Sequence, residues 1–246
     1  MSRQDLSDVF QEWPHEPGRF LVRMIEAQGG RPLLQIRIDL GILQMEVEGR
    51  PDGIRPNDQE SWLHGQLADL ARYQEANGSA RGFVISEDDC RALREEAAQY
   101  FHRYVAMFHL GRFDDVVRDA SRNLDCINLC QAFGATEGDR DAMEPFRPQV
   151  ITMRTRAEAE VAVANDQPSV AVTIINRGLE ELEDAIPPDH FESSNEVSLL
   201  RGMLDLLVPK LPSSQRAELE DRLQRALDAE NYELAAILRD ELRQLS

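Results

Sequence analysis

Apolar and polar positions along this chain follow two different periods, and the change of period divides it. From Phe20 apolar residues fall at alternate positions in three short runs, FLVRMIEA, RPLLQIRIDL and ILQMEVEG, separated by Gln28-Gly29-Gly30 and by Leu40-Gly41. Period two marks strands that cover one face. A two-residue turn at Leu40-Gly41 pairs Ile38 with Leu43, Ile36 with Met45 and Leu34 with Val47, and sets Arg37 opposite Gln44 and Gln35 opposite Glu46. One face is then apolar and the other polar, which fixes a register. Such a three-stranded antiparallel meander needs a further element on its apolar side. Residues 60–76, with Trp62, Leu63, Leu67 and Leu70 on one helical face, are the expected cover, ending at Asn77-Gly78-Ser79. Gly49-Arg50-Pro51-Asp52-Gly53 reads as a tight turn rather than as a binding loop of Arg50, Asp52 and Arg55. Residues 1–19 are polar, contain two prolines, and read as an extended arm with Trp13 as its anchor.

From Ser86 the period becomes helical. Ser86 is placed to cap a helix over 86–110, Gly111-Arg112 breaks it, and a second helix runs over 113–133. A further pair is expected over 146–164 and 169–186, joined by Asn165-Asp166-Gln167-Pro168. Pro187-Pro188 ends it, and another helix follows over 195–208. The phrase MFHLGRFDDVVRDASRNL resembles the inter-helix turn of a tetratricopeptide repeat, with Leu110-Gly111, Phe113, Val116 and Ala120 at its characteristic places. Ala171 and Gly178 stand where that repeat wants small residues. The two breaks lie about 56 residues apart, against the ~34 of that repeat, so the region reads as repeat-like helical pairing and not as an array.

The last stretch is the most specific. SSQRAELEDRLQRALDAENYELAAILRDELRQL holds two helical runs that meet at Ala229-Glu230-Asn231, with Asn231 placed to cap the second. Leu219, Leu223, Ala226 and Leu227 line one face of the first run, and Leu234, Ala235, Leu238, Leu242 and Leu245 continue it in the second. That is an antiparallel helical hairpin. Leucine spacing, then Ala226, Glu230, Tyr232, Glu233, Ala235-Ala236 and Leu238-Arg239-Asp240, resembles the UVR motif of UvrB, UvrC and regulators and ATPases of the Clp system. The resemblance implies a docking piece without catalytic residues, which pairs with a partner's UVR or UVR-like hairpin or with a second copy of itself. Its partner-binding residues would be Leu219, Leu223, Tyr232, Leu234, Ala235, Leu238, Arg239 and Leu242. Two short helices are marginal alone in water, so their apolar stripe calls for a four-helix packing.

Composition narrows the function. Hydrophobic residues at 42% and charged residues at 29% describe a soluble globular protein, and no apolar run is long enough to span a bilayer. The N-terminus lacks the apolar segment of a signal peptide, and Cys90, Cys126 and Cys130, odd in number, suit a reducing cytoplasm. A net charge of −18 argues against direct nucleic-acid binding. Lys210 is the only lysine and lies in Pro209-Lys210-Leu211, which excludes a phosphate-binding P-loop, a Schiff-base lysine and a kinase lysine. His102 with His109, and Cys126 with Cys130, each lack a third ligand and define no metal site. Asp114-Asp115 and Glu180-Glu181 read as solvated helix faces, not acid/base pairs.

The expected architecture is α+β. A polar arm (1–19) leads into a small sheet domain with its covering helix (20–80), a helical, repeat-like domain (86–208) and a UVR hairpin (213–246). The expected function is that of a bacterial cytoplasmic adaptor, without cofactor or metal. Its protein partner would belong to UvrB/UvrC-like DNA repair or to Clp-type proteostasis, with neither nucleic acid nor membrane bound directly. The competing class is an enzyme with a polar site beside the sheet, around Arg37, Gln44, Arg50 and Asp52.

Overall fold

The computed structural model describes residues 6–207, 213–228 and 232–244. It is α+β: an N-terminal three-stranded antiparallel sheet precedes a chain that is otherwise mostly helical. The chain packs as two compact units, Met1–Pro145 and Phe146–Ser246.

In the first unit, β1 (Leu21–Glu26), β2 (Pro32–Ile38) and β3 (Gly41–Glu46) form the expected meander in the order β1-β2-β3. The register differs from the sequence expectation by two residues. Ile38 pairs with Gly41, Ile36 with Leu43, Leu34 with Met45 and Gln35 with Gln44, so the turn is Asp39-Leu40. Arg37 supplies a reason: its Nη1 donates to the carbonyls of Ile38, Asp39 and Gly41, gathering that turn around one guanidinium. A shift of two keeps every side chain on its expected face. Leu34, Ile36 and Met45 are accordingly buried, while Ile38 at the turn is exposed.

The polar face is covered as well. Arg23 Nε donates to Gln35 and Gln35 Nε2 to Gln44, each at 2.9 Å, which makes a ladder across the three strands. Over it lies α1 (Ser7–Glu12), a short helix where an extended arm was expected. The arm folds because its aromatics find cations. Arg23 sits 4.0 Å from the Trp13 ring centroid, Arg37 sits 4.2 Å from that of Phe10, and Arg37 Nε donates to the Trp13 carbonyl.

The cover on the apolar face is a second correction. The helix against β2 is α3 (Glu87–His109), and α2 (Trp62–Asn77) packs on α3. The cause is Glu96 on α3, whose buried carboxylate accepts from the Trp62 and Leu63 backbone N–H groups and so fastens the start of α2 to α3. Leu63 and Gln66 are consequently buried on α2, whereas Leu67 is exposed. Ser86 caps α3 by accepting from the Asp89 N–H, and Gly111 takes a φ of +72° that turns the chain into α4 (Phe113–Phe133). The short helix α5 (Glu137–Asp141), capped by Thr136, closes the unit against α4.

The second unit holds α6 (Arg147–Ala164) and α7 (Pro168–Ala185), the short α8 (Pro188–Phe191), and α9 (Asn195–Leu207), which packs on α7 and α6. Gly178 lets α6 and α7 approach: a Cβ there would lie 2.4 Å from the Thr155 side chain. Arg154 and Arg177 bridge to Glu158 and Glu181 along the same seam. The last two helices are α10 (Ser213–Asp228) and α11 (Tyr232–Gln244), the expected hairpin. Ala229-Glu230-Asn231 with its cap, Leu245, and the linker 208–212 with Lys210 lie outside the described residues, as do the side chains of Glu233 and Asp240.

Candidate functional site

The hairpin is built on one narrow seam. Leu219, Leu223 and Ala226 fall four and three residues apart on α10, and Ala235 and Leu238 fall three apart on α11, so each helix presents one stripe. Ala226, Ala235 and Leu238 are buried together, with Leu219 and Leu223 packed against them. Small residues on both sides bring the helices close, and Leu238, 1% exposed, fills the centre. Four of the eight residues expected to bind a partner are thereby in or against this seam, Leu219, Leu223, Ala235 and Leu238, and Leu242, one turn beyond Leu238, is half-buried.

The remaining three point outward. Tyr232 is 68% exposed, and Leu234 and Arg239 are exposed too. Two further apolar residues join this outer surface, Ile237 at 54% and Leu227 at 43%. Leu234 and Ile237, three apart, share one side of α11, while Leu227 and Tyr232 flank the bend. Ile237 was not among the expected binding residues. Its signal was nonetheless in the sequence: an isoleucine beside Leu238 must lie about 100° round the helix, away from the stripe.

The polar residues near the sheet do not converge on one site. Arg37 is buried under α1 and Trp13, Gln44 lies exposed on the same sheet face, and Arg50 is drawn inward by Asp52 at 3.1 Å and Glu96 at 3.3 Å. A cavity of about 250 Å³ does open beside α2, lined among others by Ser61, Tyr100, Arg103, Arg118, Asp119 and Arg122. Its charges satisfy each other. Arg103 grips Asp119, Arg122 bonds to Glu96, Arg118 reaches Asp119, Asp115 and Glu48, and Tyr100 lies under Arg103 and Arg122. Burial lowers the Arg122 guanidinium to about 10 and raises the Tyr104 phenol.

The three cysteines are buried between helices. Burial pushes the Cys90 thiol up to about 12, and the hydrogen bond that Cys130 donates to Cys126, reinforced by burial, raises Cys130 too, so both stay protonated and unreactive. His102 and His109 are exposed; His109 stacks edge-on with Phe20. Among the described residues no group of three His, Cys, Asp or Glu side chains could hold a metal ion, and no helix is long and apolar enough to cross a membrane.

The geometry of the hairpin agrees with a comparison of sequences. Residues 213–246 match the family model of the UvrB/uvrC motif, UVR. The chain therefore carries a UVR motif at its C-terminal end, an element that mediates protein–protein interaction in UvrB/UvrC-type proteins. No curated protein and no solved structure matches the chain.

Proposed function

We propose that this protein is a non-enzymatic adaptor that docks through residues 213–246 onto a partner carrying a UVR or UVR-like hairpin. One observation carries the reading. The hairpin buries only a thin seam of its own while leaving Leu227, Tyr232 and Ile237 exposed on a motif used elsewhere for association. Exposed apolar residues grouped at one element favour a partner surface. Ala235, Leu238 and Leu223 support that surface from beneath, and Tyr232, Leu234, Ile237 and Arg239 meet the partner. UvrB/UvrC-type repair proteins and Clp-type proteostasis proteins are the two partner classes, and the setting is the cytoplasm. The −18 charge favours contact with protein over direct contact with DNA.

The test compares full-length protein with a chain ending at Val208 in binding to purified UvrB-type and Clp-type proteins that carry the motif. Binding to either class, lost on truncation, supports the reading; binding to neither overturns it.

A further inference from the structure

A cavity of about 830 Å³ lies within the second unit, between α7, α8 and α9 and reaching the hairpin. Its floor is apolar except for Asn176. Val172, Asn176 and Leu179 come from α7, the buried Leu204 from α9, and Leu219 from α10. Val172 and Leu179 are two turns apart, so this floor runs for roughly 10 Å along α7. Its rim is acidic, carrying Glu180 and Glu183 of α7, Glu192, Asp205 of α9 and Glu241 of α11, all exposed. Among the described residues Arg201 is the one cation in the lining, and it is spent on Glu192, bonding both carboxylate oxygens at 2.6 and 2.9 Å. Arg154 and Arg177 neutralise the neighbouring Glu181 and Glu158 instead. Glu180, Glu183, Asp205 and Glu241 have no ion pair among the described residues.

A trough two helical turns long, apolar but for Asn176, with unneutralised carboxylates on its rim is complementary to one kind of ligand. From this charge complementarity we infer that the groove binds a basic amphipathic helix of another protein. The helix sets aliphatic residues at i, i+3 or i+4, and i+7 on the floor and lysines or arginines against the rim. A copy of this chain is a poor occupant, because it brings a net charge of −18 to an acidic rim. The groove is distinct from the outward face of the hairpin. Leu219 and Glu241 nevertheless belong to both the groove lining and the hairpin helices, so a bound helix touches the motif from its other side.

The experiment titrates the full-length chain into a fluorescent 18-residue peptide with leucines at those helical positions and lysines elsewhere, read by anisotropy. A second peptide has every lysine replaced by glutamate. The inference expects saturable binding of the lysine peptide and none of the glutamate peptide. In Glu180→Lys/Glu183→Lys the affinity should fall by roughly tenfold or more, and in Asp8→Lys/Glu12→Lys, an equal change of charge on α1, it should not change. Leu179→Asp should weaken binding with the rim intact, and Ile237→Glu should leave it unaltered, which separates this groove from the hairpin's outer face. Equal weakening by both charge variants would mean non-selective attraction to an acidic protein and overturns the inference. So does equal binding of the two peptides, or a dimer in sedimentation that occupies the groove and that the peptide fails to dissociate.

Discussion

Arg103 on α3 and Asp119 on α4 form a bidentate pair, Nε to Oδ2 at 2.6 Å and Nη2 to Oδ1 at 2.8 Å, with both side chains 1% exposed. The remaining Nη1 donates to the Glu46 carbonyl at 3.0 Å and that of Gly49 at 2.7 Å, so one guanidinium joins both helices to the loop after β3. Two charges removed from water are stable there only while each has its partner. Asp119→Asn is expected to cost about 3–5 kcal/mol in urea unfolding, because it strands a buried guanidinium. Arg103→Met with Asp119→Leu should cost less than the sum of the single changes. It should still cost something, since the two carbonyls lose a donor. Additive losses would show that the pair does not act as a unit.

Gly178 and Thr155 mark the closest approach of α6 and α7. A methyl at Gly178 would stand 2.4 Å from Thr155 Cγ2 and Oγ1, and Thr155 is buried and short. Alanine favours a helix over glycine by up to about 1 kcal/mol, but relieving this overlap requires the helices to move. Gly178→Ala is therefore expected to destabilise by about 1–3 kcal/mol despite its better propensity. Thr155→Ala in the same chain should recover part of the loss. A neutral or stabilising Gly178→Ala in thermal denaturation would contradict this packing.

Asp139 fixes the start of α5. Its carboxylate accepts from Thr136 Oγ1 at 2.8 Å and from Arg94 at 3.1 Å, and these bonds, that of Thr136 foremost, hold its pKa below the ordinary value of 3.8. A depressed folded-state pKa contributes stability above the unfolded value and loses it as pH falls through the folded value. The stability gap between the protein and Asp139→Asn should accordingly be constant at neutral pH and shrink only below about pH 4. A gap that shrinks between pH 6 and 8 would assign the effect to another group.

Much of this fold was legible because period decides face. The alternation through Leu34, Ile36 and Met45 marked the buried side of the sheet even though the turn lies at Asp39-Leu40, since a two-residue slip preserves every face. The helix limits near Ser86, Gly111 and Pro187 followed from local backbone chemistry. What escaped was long-range pairing. That α3 and not α2 lies on the sheet depends on Glu96 reaching the Trp62 and Leu63 N–H groups, more than thirty residues away in the chain. Its trace was present, for Glu96, Tyr100 and Arg103 follow Leu93 at helical spacing and put charge on an apolar stripe. The hairpin was recognisable by its leucines and alanines. Which of them face inward depends on the partner helix, and the structure places Ala235 and Leu238 inside and Ile237 outside.

This division changes what a charged substitution reports. Ala235→Glu places a carboxylate in the buried seam and should reduce helicity at the hairpin along with any binding. Ile237→Glu places it on the exposed side, where helicity should be unaltered.

Titration calorimetry with Ile237→Glu therefore tests the docking proposal most directly, using full-length protein against a purified UvrB-type or Clp-type protein that carries the motif. The prediction is that the wild-type chain binds one of these and that Ile237→Glu weakens binding by roughly tenfold or more, as for a central interface residue. Circular dichroism of the variant should match that of the wild type. If Ile237→Glu and the chain ending at Val208 both bind as tightly as the wild type, the hairpin is not the docking element.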